Sequence, residues 1–146
     1  MAADEPGREM RKRIAALVAE MALHGRGPDE PIRSTMAYVG DRWTSLILLV
    51  LHTGTLRHAE LRRVLGEISH EGGISQRVLT LKLRGLERDG FVLRSVSEDV
   101  PPRVAYRLSE SGAGLVAVVR GMIDWVAGEK AGILAARARY DEAGQW

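Results

Sequence analysis

The stretch from Ile74 to Val92, ISQRVLTLKLRGLERDGFV, leaves the chain few folds to choose from. Ser75 is a good N-cap, because its hydroxyl can accept from a free backbone N–H of the first turn. Gly90 is a good stop, because it tolerates a left-handed conformation. At about 100° per residue, Leu79, Leu83 and Leu86 fall on one face of the helix between them, and Arg77, Leu81, Arg84 and Arg88 on the other, with Thr80 beside them. The leucines need a core, and the arginines are left in solvent. An exposed face with three guanidiniums suits a polyanion, since Arg pairs in bidentate fashion with guanine or with a phosphate. A solvated charged face has the same pattern, so the flanking segments have to decide. Leu81 is unusual on an outward face. It could touch a thymine methyl, and Gly85 would let the backbone come close.

Upstream, Arg57 to Leu65 reads as a helix with Ala59, Leu61, Val64 and Leu65 inside and Arg57, Arg62 and Arg63 outside. The segment GEISHEGG links it to the helix capped by Ser75. Two helices, the second capped and basic on its outer face, make a helix-turn-helix pattern, although this turn is longer than the usual three or four residues. Downstream of Gly90, Phe91, Leu93 and Ser95 alternate with Val92, Arg94 and Val96 in a strand. SEDVPP bends the chain, and Val104, Tyr106 and Leu108 return in a second strand. A hairpin directly behind such a helix is a wing. Arg103 at its end can reach a minor groove or a phosphate, or can instead pair with Glu98 or Asp99.

The remaining segments frame this motif. Residues 1 to 7 are expected to be disordered. Met10, Ile14, Leu17, Val18 and Met21 recur at spacings of three and four, giving an amphipathic helix from Arg8 to about Leu23. HGRGPDEP is a linker whose Gly25 and Gly27 belong to a plain loop. A short helix runs from Ile32 to Val39. Asp41 caps the next one, whose Trp43, Leu46, Ile47, Val50 and Leu51 place it in the centre of the core, with Trp43 as a packing residue. Thr53-Gly54-Thr55 ends it. Ser109 caps a final helix whose stripe of Leu115, Val118, Val119, Met122, Ile123 and Val126 is broader than the core left to it, which suggests a dimer. Residues Glu129 to Ala143 continue as another helix or an extension. The expected organisation is an N-terminal helical extension and linker (1–30), a winged helix-turn-helix domain with its terminal helix (31–127) and a C-terminal helical extension (128–146).

Length and composition fit this scheme: 146 residues with 45% hydrophobic content suffice for one globular core. The absence of cysteine excludes disulfides and thiolate chemistry. No apolar run is long enough to cross a membrane and MAADEPGRE lacks the features of a signal peptide, so the cytoplasm is the expected compartment and no membrane partner is expected. A net charge of +2 is too small to argue for nucleic acid by itself. Its distribution says more, because residues 56 to 108 carry ten Lys or Arg against seven Asp or Glu, an excess confined to the motif.

With these motifs in view, the chain resembles the HxlR-type family of bacterial winged helix-turn-helix transcriptional regulators. The resemblance runs through Gly40-Asp41-Arg42-Trp43, Glu60-Leu61-Arg62-Arg63, Ile74-Ser75 with Leu79-Thr80, Leu86-Glu87-Arg88-Asp89-Gly90, and Pro101-Pro102-Arg103-Val104 with Tyr106, Leu108 and Gly112, over about residues 31 to 127. It implies a homodimer joined through its terminal helices on a two-fold site in double-stranded DNA. Ser75, Gln76, Arg77, Thr80 and Arg84 then fall on the reading helix and Arg103 on the wing. Many members carry a cysteine just before the proline equivalent to Pro31, used in sensing oxidants or electrophiles. Glu30 stands there in this chain, so thiol sensing is excluded. ISHEGG lengthens the turn before the reading helix, and Leu81 occupies a position that is often polar.

The expected fold is therefore mainly α with a small β-hairpin wing (α+β), a winged helix-turn-helix dimerising through its N- and C-terminal helices. The expected function is sequence-specific DNA binding in transcriptional regulation, more often repression in such folds, through Ser75, Gln76, Arg77, Thr80, Leu81, Arg84, Arg88 and Arg103. An effector pocket lined by Met36, Trp43, Met122 and Trp125 is a candidate addition, although Met and aromatic residues at helical spacing are more often core. The rival readings are an enzyme and a protein-binding helix-turn-helix scaffold. For the enzyme, His24, His52, His58 and His70 are the near-neutral acid-base groups; His52, His58, His70 and Glu71 could hold a metal, but no HExxH, GxSxG or paired-carboxylate motif accompanies them. No cofactor and no metal are assigned.

Overall fold

The computed structural model describes residues 5–70 and 72–144. In chain order the elements are α1 (Glu5–Leu23), α2 (Pro31–Gly40), α3 (Arg42–Leu51), β1 (Leu56–Arg57), α4 (His58–Ile68), α5 (Gln76–Arg88), β2 (Val92–Val96), β3 (Val104–Leu108) and α6 (Glu110–Glu142). They group into two units divided between Gly40 and Asp41.

In the first unit α1 starts earlier than its apolar periodicity indicates. Glu5, Pro6 and Gly7, expected to be disordered, are helical, because proline in a first turn lacks only an N–H that would have no helical partner there. The rest of that expected disordered segment, residues 1–4, lies outside the described residues. Met10, Ile14, Leu17 and Val18 form the apolar stripe of α1 and all stay exposed. Pro31 opens α2, where its fixed φ suits the first helical position. The Glu30 carbonyl accepts from the N–H groups of Arg33 and Ser34.

The second unit is built on α3. Asp41 caps it as expected, its Oδ2 accepting from the Thr44 N–H at 2.8 Å and from the Thr44 hydroxyl at 2.7 Å. Ile47, Leu48 and Leu51 are at most 2% exposed. Leu61 and Leu65 of α4, Leu79, Leu83 and Leu86 of α5, Val92 of β2, Tyr106 of β3, and Leu115, Val116 and Val119 of α6 are buried as well and complete the core. Trp43 is only half-buried, and the Arg42 guanidinium lies over its ring at 5.4 Å from the centroid. It borders the core instead of filling it.

The sheet has three strands, not two, in the order β1-β3-β2. Arg57, expected to open a helix, belongs instead to a short strand in which Leu56 and Arg57 pair antiparallel with Tyr106 and Ala105. A two-residue strand has no periodicity to read; the open edge of β3 creates it by offering hydrogen-bonding partners. Helix α4 begins after it and runs on to Ile68, beyond the Leu65 at which the pattern ends. The hairpin pairs Val92 with Leu108 through to Val96 with Val104.

Two glycines are required where they stand. Gly90 has φ +80° and ends α5 in a Schellman motif, with Phe91 N–H bonded to the Leu86 carbonyl and Gly90 N–H to that of Glu87. Gly112, in the first turn of α6, lies so close to the Phe91 carbonyl that an added Cβ would sit 2.1 Å from the oxygen.

Helix α6 runs unbroken for 33 residues, about 50 Å, passing through residues 127 and 128 without interruption. Its first turns supply Leu115, Val116 and Val119 to the core. The rest of the stripe, Val118, Met122, Ile123 and Val126, is 42–56% exposed.

Candidate nucleic-acid interface

The outward face of α5 is presented by what anchors the inward one. Leu79, Leu83 and Leu86 are no more than 1% exposed, so rotating the helix about its axis would expose leucine and bury arginine. Ser75 caps the helix by accepting from the Val78 N–H at 3.1 Å. Lys82 Nζ lies 3.0 Å from Asp41 Oδ2, joining α5 to the capping carboxylate of α3. Arg62 Nε donates to the Ile74 carbonyl at 2.9 Å, strapping α4 to the residue before the cap. The lengthened turn between the helices includes Glu71, which lies outside the described residues.

On this anchored helix Gln76, Arg77, Thr80, Leu81 and Arg84 line one open depression of about 630 Å³. Among the described residues neither Arg77 nor Arg84 forms an ion pair, so both guanidiniums remain available to an anion. Leu81 is 55% exposed among them. Five of the expected site residues are thus brought together. Ser75 is used as the cap, and Arg88 stands at the last helical position, beyond the depression.

A narrower hollow of about 310 Å³ lies between α5 and the sheet, lined by Thr80, Arg84, Glu87, Arg94 and Tyr106. The sequence reading left Arg94 and Tyr106 out of the site, because strand alternation indicates the face of a residue but not which helix that face meets. Arg103, at the far end of the hairpin, has its Nε 3.9 Å from Asp99 Oδ2, both side chains being largely exposed; such a contact is weak and readily exchanged. Its backbone N–H donates to Ser97 Oγ at 2.9 Å, closing the wing tip.

His58 lies beside the outward face of α5, although no motif points to it. Its Nε2 lies 3.0 Å from Thr80 Oγ1, and its ring centroid lies 6.3 Å from that of Tyr106. Partial burial, followed by the nearby Arg62 charge, holds its pKa below the ordinary 6.5, so the ring is neutral at neutral pH. His58 is therefore engaged with Thr80 of α5 and Tyr106 of β3. Among the described residues no group of three or more His, Asp, Glu or Cys side chains is placed to hold a metal ion.

The residues expected to line an effector pocket are dispersed in burial. Trp43 is half-buried on α3, whereas Met122 and Trp125 are 42% and 65% exposed on α6. None of these three lines the hollows described above, because α6 has already left the core where Met122 and Trp125 occur. Met36, 62% exposed, belongs to the first unit.

Known proteins share this chain's family and fold. Residues 38–131 match the family model of the HxlR-like helix-turn-helix. The chain is 41% identical over 100 residues to the HTH-type transcriptional regulator YdeP of Bacillus subtilis, covering 68% of this chain and 72% of that protein. The structure of the transcriptional regulator ytfH from Salmonella typhimurium superposes with a TM-score of 0.63 at 35% identity, over 77% of this chain and 95% of that one. The redox regulator HypR in its reduced form superposes with a TM-score of 0.61 at 34% identity, over 72% and 98%. Among the described residues no helix is long and apolar enough to cross a membrane.

Proposed function

The chain belongs to the HxlR-like helix-turn-helix family of transcriptional regulators, and on that premise we propose that it acts as a homodimer, inserting α5 of each copy into the major groove of a two-fold operator. The observation that carries this reading is the depression formed by Gln76, Arg77, Thr80, Leu81 and Arg84 on a helix whose opposite face is locked in the core. The side chains there are the ones that read base edges: guanidinium for guanine, amide for adenine, and apolar carbon for the thymine methyl. Arg103 on the wing and Arg88 at the end of α5 have the reach and charge to contact the backbone, which positions the protein without reading sequence.

The exposed Val118, Met122, Ile123 and Val126 of α6 form the apolar face offered to a second copy, and the exposed stripe on α1 is a second apolar face available for dimerisation. Half-sites then lie roughly 34–36 Å apart, or a multiple of that. Occupying an operator makes repression the favoured outcome, and a regulator of this kind works in the cytoplasm, without catalysis of its own. The redox regulator HypR is structurally similar, but this sequence contains no cysteine, so any signal it receives comes by a route other than thiol oxidation.

The test is fluorescence anisotropy with duplexes from the region upstream of its own coding sequence, at about 0.15 M salt, with and without excess random competitor. Competitor-resistant binding supports base reading. Binding abolished by competitor on every duplex tried would reduce the interaction to phosphate attraction, and no binding even at low salt would favour the protein-scaffold reading.

A further inference from the structure

Thr80 faces outward on α5, and its hydroxyl is held by two groups of the protein itself. Oγ1 lies 2.8 Å from the Gln76 carbonyl oxygen and 3.0 Å from His58 Nε2. A carbonyl oxygen can only accept, so the single hydroxyl hydrogen is committed to Gln76. The bond to His58 must then have Nε2–H as its donor, which makes the neutral ring the Nε2–H tautomer. Protonation of the ring would not reverse this direction, because imidazolium also donates from Nε2.

The imidazole is restrained in that position. His58 is the first residue of α4, partly buried, and its ring meets that of Tyr106 at a 57° inclination. Tyr106 is itself only 7% exposed and belongs to the central strand. A wall of core therefore stands behind the ring and Thr80 in front of it.

A threonine hydroxyl that rotates freely can donate or accept, and so can pair with any base edge. With its hydrogen given to Gln76 and one lone pair taken by His58, Thr80 has one lone pair and its methyl group left to offer. We propose that His58 is a positioning residue that makes Thr80 an obligate acceptor, so that α5 selects at that position a base carrying a major-groove amino group, adenine N6 or cytosine N4, over guanine O6 or thymine O4. This deepens the DNA-reading role of α5 and rests on it. It assigns to α4 a part in choosing the base.

The test combines selection of sites from a randomised duplex library with anisotropy on all four base pairs at each selected position. It uses the wild type, Thr80→Val, His58→Gln and His58→Leu, each checked for folding by its thermal transition. In the wild type one position per half-site should prefer an amino-bearing base by about two- to tenfold, the worth of one hydrogen bond. Thr80→Val keeps the shape and methyl but loses the acceptor, and should abolish the preference at that position alone. His58→Gln can still donate from its amide and should retain it. His58→Leu frees the hydroxyl to turn and should admit guanine or thymine there, with the other positions unchanged. If His58→Leu fails to fold, His58→Ala takes its place, and a folded variant lacking the donor at position 58 that keeps the wild-type preference would overturn the role of His58. A wild type that selects sites, with a Thr80→Val profile identical to it, would overturn the proposal and leave the DNA-reading role intact. A wild type that selects no sequence would overturn both.

Discussion

The Arg62 guanidinium donates through Nε to the backbone carbonyl of Ile74 at 2.9 Å, bridging the lengthened turn between α4 and α5 from the body of one helix to the threshold of the next. A longer link between two helices would ordinarily loosen their packing, and this bond instead sets where α5 begins. Leu61 and Leu65, both fully buried, fix α4 itself in the core. Arg62→Leu should lower stability by about 1 kcal/mol, the net worth of one such bond near the surface, as read from urea unfolding. An unchanged midpoint would mean that the strap holds nothing in solution.

Arg84 lies in both hollows on the outer face of α5. If it reads a base edge, Arg84→Ala should cost about 1 to 3 kcal/mol of binding and relax the preference at one base pair. If it touches phosphate alone, affinity should fall evenly across sequences and the salt dependence should become shallower. Loss of neither would remove Arg84 from the interface.

Gly112 packs against the backbone of Phe91 while Ser109, the cap of α6, accepts from the Gly112 N–H and donates to the Gly90 carbonyl at 2.6 Å. A methyl group at position 112 would meet main chain, which cannot rotate aside as a side chain does. Gly112→Ala should therefore destabilise the fold by about 1 to 3 kcal/mol, seen as a lower thermal midpoint. Gly114→Ala, two residues on with open space around it, should not.

Partial burial pushes the Asp41 carboxyl upward, but bonds from the Thr44 hydroxyl and N–H and from Lys82 outweigh it, and its pKa is held below the ordinary 3.8. A depressed carboxylate adds stability that is present above its unfolded pKa and lost as pH falls through the folded one. Asp41→Ala should thus cost about 1 kcal/mol at neutral pH, the usual worth of an N-cap. The gap from wild type should close as acid denaturation is followed below pH 3.8. A gap that stayed constant with pH would mean the charge takes no part.

Ile123 is 44% exposed in the apolar face of α6. Burying an unpaired carboxylate between two such helices is costly, so Ile123→Glu should raise the dimer dissociation constant by at least about tenfold, as measured by sedimentation velocity. A wild type that sediments as a monomer at all accessible concentrations would remove this face from the proposed assembly.

Local rules determined much of this protein in advance. Ser75, Asp41 and Ser109 cap the helices expected of them because a cap depends on residues within one turn. The leucines of α5 went inward because helical periodicity leaves a chain little choice about which face is apolar. The hairpin and the Gly90 stop followed from alternation and from backbone freedom, and the order of these motifs carried the family resemblance. What only the tertiary structure decided involves residues distant in sequence. Strand β1 exists because β3 has an open edge, and two residues have no period of their own. The His58–Thr80 bond spans 22 positions and arises from the way α4 packs across α5, as the Arg62 strap does. The position of α6 relative to the core separated Leu115 and Val119 from Met122 and Ile123, though all four share one stripe in sequence: periodicity ranks residues by face, but burial depends on where along a helix the rest of the protein ends.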